Sequence, residues 1–225
     1  GAYGYRRVTA ALRNQGTKVN HKKVQRIMQQ LDLKGKCKQR KYRSYRGEVG
    51  KTAPNRLAGN FTASRPNEKW LTDVTEFKCA EGKLYLSPIK DQFNNEIISD
   101  DLSRSPNFSQ TVRMLEGALA KLPKGATPIL HSDQGWQYQH PGYQNILKIN
   151  GIEQSMSRKG NCFDNSAMES FFARLKTECY YGRKFNTYAE LEQTIHDYIA
   201  YYNHERIQLK LKGLSPVQYR TQSLK

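Results

Sequence analysis

Apolar residues recur along this 225-residue chain in two rhythms, and the change from one to the other divides it. Near the start the spacing is helical. Residues 5–14 place Val8, Ala11 and Leu12 on one face and stop at the turn signal Gln15-Gly16. Asn20 then reads as an N-cap, and Val24, Ile27, Met28 and Leu31 follow at spacings of 3, 4 and 7 before Gly35. Two short helices about a glycine turn predict a helix-turn-helix-like module. The stretch through Arg65-Pro66, with Gly47, Gly50, Pro54 and Gly59, reads as linker.

Beyond Lys69 the rhythm becomes that of strands alternating with helices. Residues 70–79, 83–93 and 96–102 predict three strands joined by short turns, the second containing Pro88. An amphipathic helix over 108–122 precedes a fourth strand at 127–132, a helix at 143–149 and a short fifth strand at 152–156. Two longer helices follow, at 165–178 and 188–204. The second opens with the capping box Thr187-x-x-Glu190 and carries Leu191, Ile195, Tyr198, Ile199 and Tyr202 on one face, a core or subunit-interface stripe. This order predicts an α/β fold with a mixed five-stranded sheet and flanking helices. The expected boundaries are 1–35 for the helical module, 36–66 for an arm and linker, 67–181 for the core, and 182–225 for a C-terminal helix and tail packed on that core.

Charge sharpens the division. The chain has 37 Lys and Arg against 20 Asp and Glu, a formal charge of +17. Residues 1–65 hold 17 of those cations against only Asp32 and Glu48, so the remainder carries just +2. A solvated basic face explains a modest excess but not this asymmetry, which points to a polyanion-binding module. Lys22, Lys23 and Arg26 stand near the start of the second helix, as on a helix entering a major groove. Between 34 and 46, seven of thirteen residues are basic and none is acidic, with Tyr42 and Tyr45 interleaved. Lys36, Lys38, Arg40, Lys41, Arg43 and Arg46 thus form an arm suited to neutralising phosphates. No apolar window reaches the about 18 residues of a membrane span, so a cytoplasmic protein without membrane contact is expected. Cys37, Cys79, Cys162 and Cys179 form no C-x-x-C pair, against a zinc ribbon or a disulfide framework. The first residue is not Met, and the chain reads as a piece of a longer product.

Three acids occupy unusual positions. Asp73 lies inside the first expected strand, in Thr72-Asp73-Val74-Thr75, where packing favours Val or Ile. Asp133 closes the fourth strand in His131-Ser132-Asp133-Gln134-Gly135, and Glu169 sits a turn into the 165–178 helix. Converging at one sheet edge, they would need protons or cations to relieve their repulsion, and an oxygen-only set suits Mg²⁺ or Mn²⁺. Asp91 reads as a bystander at the end of the second strand. His131 either positions a phosphate or water or is a satisfied structural histidine, and Asp164 and Asn165 cap the Glu169 helix.

Asp133 and Glu169 are separated by 35 residues, and with Asp73 they match the D, D(35)E pattern of DDE transposases and retroviral integrases. The wider strings, residues 70–75, 131–135 and 160–169, Tyr201-Tyr202-Asn203 and Ser215-Pro216, resemble the insertion-sequence transposases of family three over almost the whole chain. The resemblance implies a ribonuclease-H-like core and two Mg²⁺ or Mn²⁺ ions per active site, bridged by Asp73 and completed by Asp133 and Glu169. It further implies cleavage at element ends and strand transfer by transesterification, with no covalent enzyme intermediate and a circular element after the first joining. Lys176, seven residues after Glu169 and about 10 Å along a helix axis, matches the family's basic residue at that offset and would hold a phosphate, its alternative being a solvated helix lysine. Implied partners are double-stranded DNA, both terminal repeats and target, and a homodimer or higher oligomer formed on it in a bacterial, nucleoid-associated setting. Ser166 replaces a family Ala, the paired His/Cys zinc module of retroviral integrases is missing, and the relatives' upstream DNA-binding segment and coiled coil are not seen. Two other readings stay open: a ribonuclease-H-like nuclease that cuts without joining, and a DNA-binding regulator whose acidic domain merely dimerises.

Overall fold

The strand expected over 70–79 divides in two around Asp73. The computed structural model describes residues 3–35, 50–158 and 166–224. In it β1 (Lys69–Thr72) and β2 (Thr75–Cys79) both run antiparallel to β3 (Gly82–Asp91). The two pieces keep one register: Thr72 faces Ile89 and Thr75 faces Leu86, so the residue opposite Asp73 is Pro88. Proline has no N–H to give a ladder, and the pairing lapses there. Asp73 therefore stands just past the end of β1, and its Oδ1 accepts the Val74 N–H at 2.8 Å.

The other edge of β3 pairs with β4 (Ile97–Ser103), while β1 is the parallel neighbour of β5 (Ile129–Ser132), and β5 of β6 (Glu153–Met156). The expected mixed five-stranded sheet is present as six strand segments because its first strand is interrupted. Parallel neighbours need crossovers. These are α3 (Phe108–Leu119), capped by the Asn107 side chain on the Gln110 N–H, and the pair α4 (Trp136–Gln139) and α5 (Pro141–Ile149). One sheet face is apolar: Trp70, Ile89 and Leu130 pack with Met114 and Leu115 of α3 and Tyr143 and Leu147 of α5. Full burial of such side chains contributes about 1.5–3 kcal/mol each.

After β6 come α6 (Ser166–Leu175) and, directly continuing it, a π-helical turn Lys176–Tyr180, closed by the Tyr181 N–H on the Lys176 carbonyl at 2.6 Å. The helix expected over 165–178 thus changes winding at Lys176. In α7 (Tyr188–His204) Thr187 Oγ1 accepts the Glu190 N–H at 3.2 Å as the capping box requires. The Glu190 carboxylate reaches one residue further back than expected, to the Asn186 N–H at 3.0 Å. A 3₁₀ turn, Leu209–Leu211, and a helix not anticipated from the pattern, α8 (Pro216–Ser223), complete the chain.

Contacts gather the described residues into two units. The sheet unit takes residues 50–158, 166–172 and 184–192; the helical unit takes 3–35, 173–183 and 193–224. Within the C-terminal segment, residues 184–192 belong to the sheet unit and residues 193–224 to the helical unit.

In the helical unit α1 (Tyr5–Asn14) and α2 (His21–Gln30) form the helical pair, with Asn20 capping α2 through the Lys22 N–H at 2.9 Å. Arg13 holds the intervening turn by donating from Nε and Nη2 to the Val19 carbonyl. The C-terminal segment completes this unit. Asn14 Nδ2 donates to the Gly213 carbonyl at 2.6 Å, and the Ile207 N–H donates to the Tyr3 hydroxyl at 2.9 Å. Beneath them lies a buried charge network: Arg206, fully buried, donates from Nε and Nη2 to the two oxygens of Glu178, which also accepts the Tyr198 hydroxyl at 3.0 Å. Arg7 lies 3.9 Å from the same carboxylate. Burial opposes the Arg206 charge, but the bonds to Glu178 and the neighbouring Tyr198 outweigh it and raise its pKa. No described helix is long and apolar enough to cross a membrane.

Candidate active site

Strand register places the first two acids side by side. Across the sheet Lys90 of β3, Leu71 of β1, His131 of β5 and Ser155 of β6 form one row. Asp73 and Asp133 each follow two residues later along adjoining parallel strands, at the carboxyl ends where open α/β sheets place ligands. Each carboxylate is aimed by a backbone bond: Asp73 through Val74, and Asp133 through the Gly135 N–H at 2.9 Å. The loop after Asp133 is fixed by Gln134 Nε2 on the Ser157 carbonyl and by Gln139 Nε2 on the Gln134 carbonyl.

Tyr138 connects the pair electrostatically. Its fully buried hydroxyl lies 3.4 Å from Thr72 Oγ1, and its pKa is driven well above the usual phenol value by burial first and then by Asp73 and Asp133. Burial also pushes the Asp133 carboxyl upward, a rise that the Gly135 N–H partly offsets. Two acids close together, one of them resisting ionisation, suit a cationic ligand.

Lys90 is the residue that the sequence pattern conceals. It is 3% exposed in the middle of the sheet, and its Nζ donates to the Ala167 carbonyl in the first turn of α6 at 3.0 Å. That bond ties the first turn of α6 to Lys90, two residues before Glu169. A lysine in a strand ordinarily reads as solvated, and only the register on Leu71, just before Asp73, gives it meaning. Glu169 itself is half-buried, between buried Met168 and Phe171.

The remaining expected residues separate clearly. His131 is fully buried with Nδ1 at 2.8 Å from Ser155 Oγ. Asp91 is also buried, its oxygens accepting the Asn67 and Phe93 N–H groups at 2.8 and 2.9 Å. Lys176 opens the π-helical turn, half-buried, in the helical unit. Lys22, Lys23 and Arg26 are exposed on α2. Asp164 and Asn165, like Lys36, Lys38, Arg40, Lys41, Arg43 and Arg46 of the arm, lie outside the described residues.

Among the described residues, no three His, Cys, Asp or Glu side chains come together as a group placed to hold one metal ion. The donor chemistry of the Asp73–Asp133 pair nevertheless fits a hard divalent cation: carboxylate oxygens only, one carboxyl partly buried, and the nearest histidine engaged by Ser155.

Comparison with known proteins agrees with this geometry. Residues 63–162 and 169–224 each match an integrase core domain family, and residues 1–41 match an HTH-like domain family. The chain is 75% identical over 207 residues to an uncharacterized transposase-like protein of Haemophilus influenzae strain Rd, covering 92% of this chain and 95% of that protein. It is 57% identical over 223 residues to InsK of insertion sequence element IS150 from Escherichia coli strain K12, covering 99% of this chain and 79% of that protein. Among solved structures it is similar in fold to the HTLV-2 integrase catalytic core domain in complex with magnesium, with a TM-score of 0.55 at 18% identity, covering 70% of this chain and 98% of that one.

Proposed function

Since the chain belongs to the insertion-sequence transposases of family three, with an integrase-type, ribonuclease-H-like core, we propose that Asp73, Asp133 and Glu169 are its catalytic acids. On this reading the protein is a polynucleotidyl transferase that cuts at the ends of an insertion sequence and joins them to target DNA. The observation that supports the site assignment is the strand register, which sets Asp73 and Asp133 two residues beyond the Leu71–His131 pair on the adjoining parallel strands β1 and β5.

The family implies dependence on a divalent metal, and the three acids would hold Mg²⁺ or Mn²⁺, two ions per site. Bound there, the cations supply charge neutralisation at the reacting phosphodiester and acidify the attacking water or 3′-hydroxyl. The protein's own part is positioning. Val74 and Gly135 orient the two aspartates, the Lys90 bond holds the start of α6, and Glu169 on that helix would be the third acid to hold the metal. Lys176 contacts a phosphate near the cut. Lys22, Lys23 and Arg26 of α2 read the terminal repeat, and the basic arm neutralises flanking phosphates. A homodimer or larger assembly brings two ends together on the bacterial nucleoid.

The deciding experiment incubates the protein with a labelled duplex carrying an element end, Mg²⁺ and a target plasmid. Joined products that disappear with chelator support transposition. Cut products without joined ones would return the chain to the nuclease reading, and neither product, with DNA still bound, to the regulator reading.

A further inference from the structure

Two adjoining grooves in the helical unit share Arg13 and His21. One, of about 630 Å³, lies along the turn 16–21. The other, of about 470 Å³, lies between the Arg6–Arg13 stripe of α1 and the C-terminal turn at 209–213. Together they are lined by Arg6, Arg13, Lys18, His21 and Lys212, and by no acid. All five cationic or titratable side chains are exposed.

The C-terminal wall of this trough is built, not incidental. Asn14 holds the Gly213 carbonyl at 2.6 Å, and Gly213 packs beside the Ala10 side chain, its left-handed backbone being the reason a glycine stands there. Lys212 and Gly213 both adopt positive φ, +57° and +81°, which turns the chain and leaves the Lys212 side chain at the groove. Arg13 donates two nitrogens to the Val19 carbonyl, bracing the turn at the trough's edge. His21 is stacked on Tyr5, with Arg6 over the same ring at 5.7 Å.

We propose that this trough binds the sugar-phosphate backbone of duplex DNA and that Lys212, nearly two hundred residues from α1 in sequence, is one of its phosphate contacts. The inference rests on the helical unit being the DNA-binding part of the protein, and it extends that part to the C-terminal turn. Backbone contact carries no sequence information, so the trough adds affinity without specificity. A row of exposed cations free of acids is what a run of phosphates recognises, and it lies beside the start of α2, where Lys22 and Lys23 stand.

The test measures fluorescence anisotropy of the full chain with a duplex carrying an element end and with an unrelated duplex, across a salt series without divalent ions. Lys212→Gln should weaken both duplexes by the same factor, several-fold near physiological salt, and lower the salt slope by about 1. Lys212→Glu should weaken both further, while Lys124→Gln, an exposed lysine of the sheet unit, should leave both curves in place. Unchanged slope and affinity in Lys212→Gln, with Arg26→Gln still losing end preference, overturns the trough and spares the α2 assignment. If Arg26→Gln and Lys22→Gln are also silent, the assignment of DNA binding to α2 fails as well. Loss by Lys212→Gln confined to the element end also overturns the proposal, because it would make Lys212 a base reader.

Discussion

Glu178 and Asp133 are both largely withdrawn from water, yet they keep opposite company. Glu178 is saturated: Arg206 grips both oxygens, Tyr198 donates a third bond, and Arg7 stands nearby. Asp133 has a second carboxylate as its neighbour, one backbone N–H as a donor, and a pKa pushed upward by burial. A carboxylate whose lone pairs are all answered from within the protein has no capacity left for a ligand. One left beside its own kind keeps that capacity and destabilises the fold for it. The contrast separates a structural charge centre from a chemical one without reference to any relative.

The sharpest way to break the contrast is to remove a charge from each centre. Asp73→Asn should lower joining by roughly three orders of magnitude, because several kcal/mol of charge stabilisation go with the metal site. Its melting temperature and DNA binding should stay near wild type. Substantial joining by this variant would remove Asp73 from the chemistry.

Arg206→Met should do the reverse. Leaving Glu178 buried without its partner costs about 3–5 kcal/mol of stability, read from denaturant midpoints, and Arg206→Met/Glu178→Leu should recover much of it. No loss in the single variant would show that water already satisfies Glu178.

Lys90 sharpens the comparison, being a buried cation in the unit that does chemistry. Replacing it by Met at nearly constant volume leaves the Ala167 carbonyl without this donor, so stability should fall by about 1–3 kcal/mol. Joining should fall about 10–100-fold, the usual cost of losing a group that positions a metal ligand, with a rightward shift in the Mg²⁺ midpoint. Reduced stability with an unchanged Mg²⁺ midpoint would make Lys90 a packing residue only.

The smallest expected effect concerns pH in metal-free protein. The Asp133 carboxyl titrates higher in the folded state than in the unfolded chain, so its contribution is intact below the ordinary aspartate range of about 4 and is lost as pH rises through the raised value. Asp133→Asn lacks that loss, so its stability should gain on wild type across this interval and stay ahead at neutral pH. Parallel stability curves would mean the carboxyl is well solvated.

The mixed sheet with its flanking helices and the helical pair were legible in the sequence, because period and turn residues are local, and the three acids stood out by their motif context. Pro88 was visible too, but its consequence was not: it interrupts pairing only because register sets it opposite Asp73. The helix α8 had a local signal, Ser215-Pro216 with Gln218 three residues after the cap, that pattern reading passed over. Lys90, Glu178 and Arg206 could not be found that way. Each is an ordinary polar residue in sequence, and each acquires its meaning from a partner 77 or 28 positions away. The tail's place beside α1 is more distant still, at 199 positions.

That last separation bears on how the molecule is made. The sheet unit is nearly continuous along the chain, whereas the helical unit is assembled from its two extremes. During synthesis α1 leaves the ribosome long before Glu178, Arg206 or Gly213 exists, and at about 5–20 residues per second it waits many seconds for them. The sheet can collapse in that interval, and the helical unit must form last, by a closure spanning most of the chain. A ribosome that stops short of residue 173 would therefore release a chain able to build its sheet, with α1 and α2 still lacking the C-terminal segments that complete their unit.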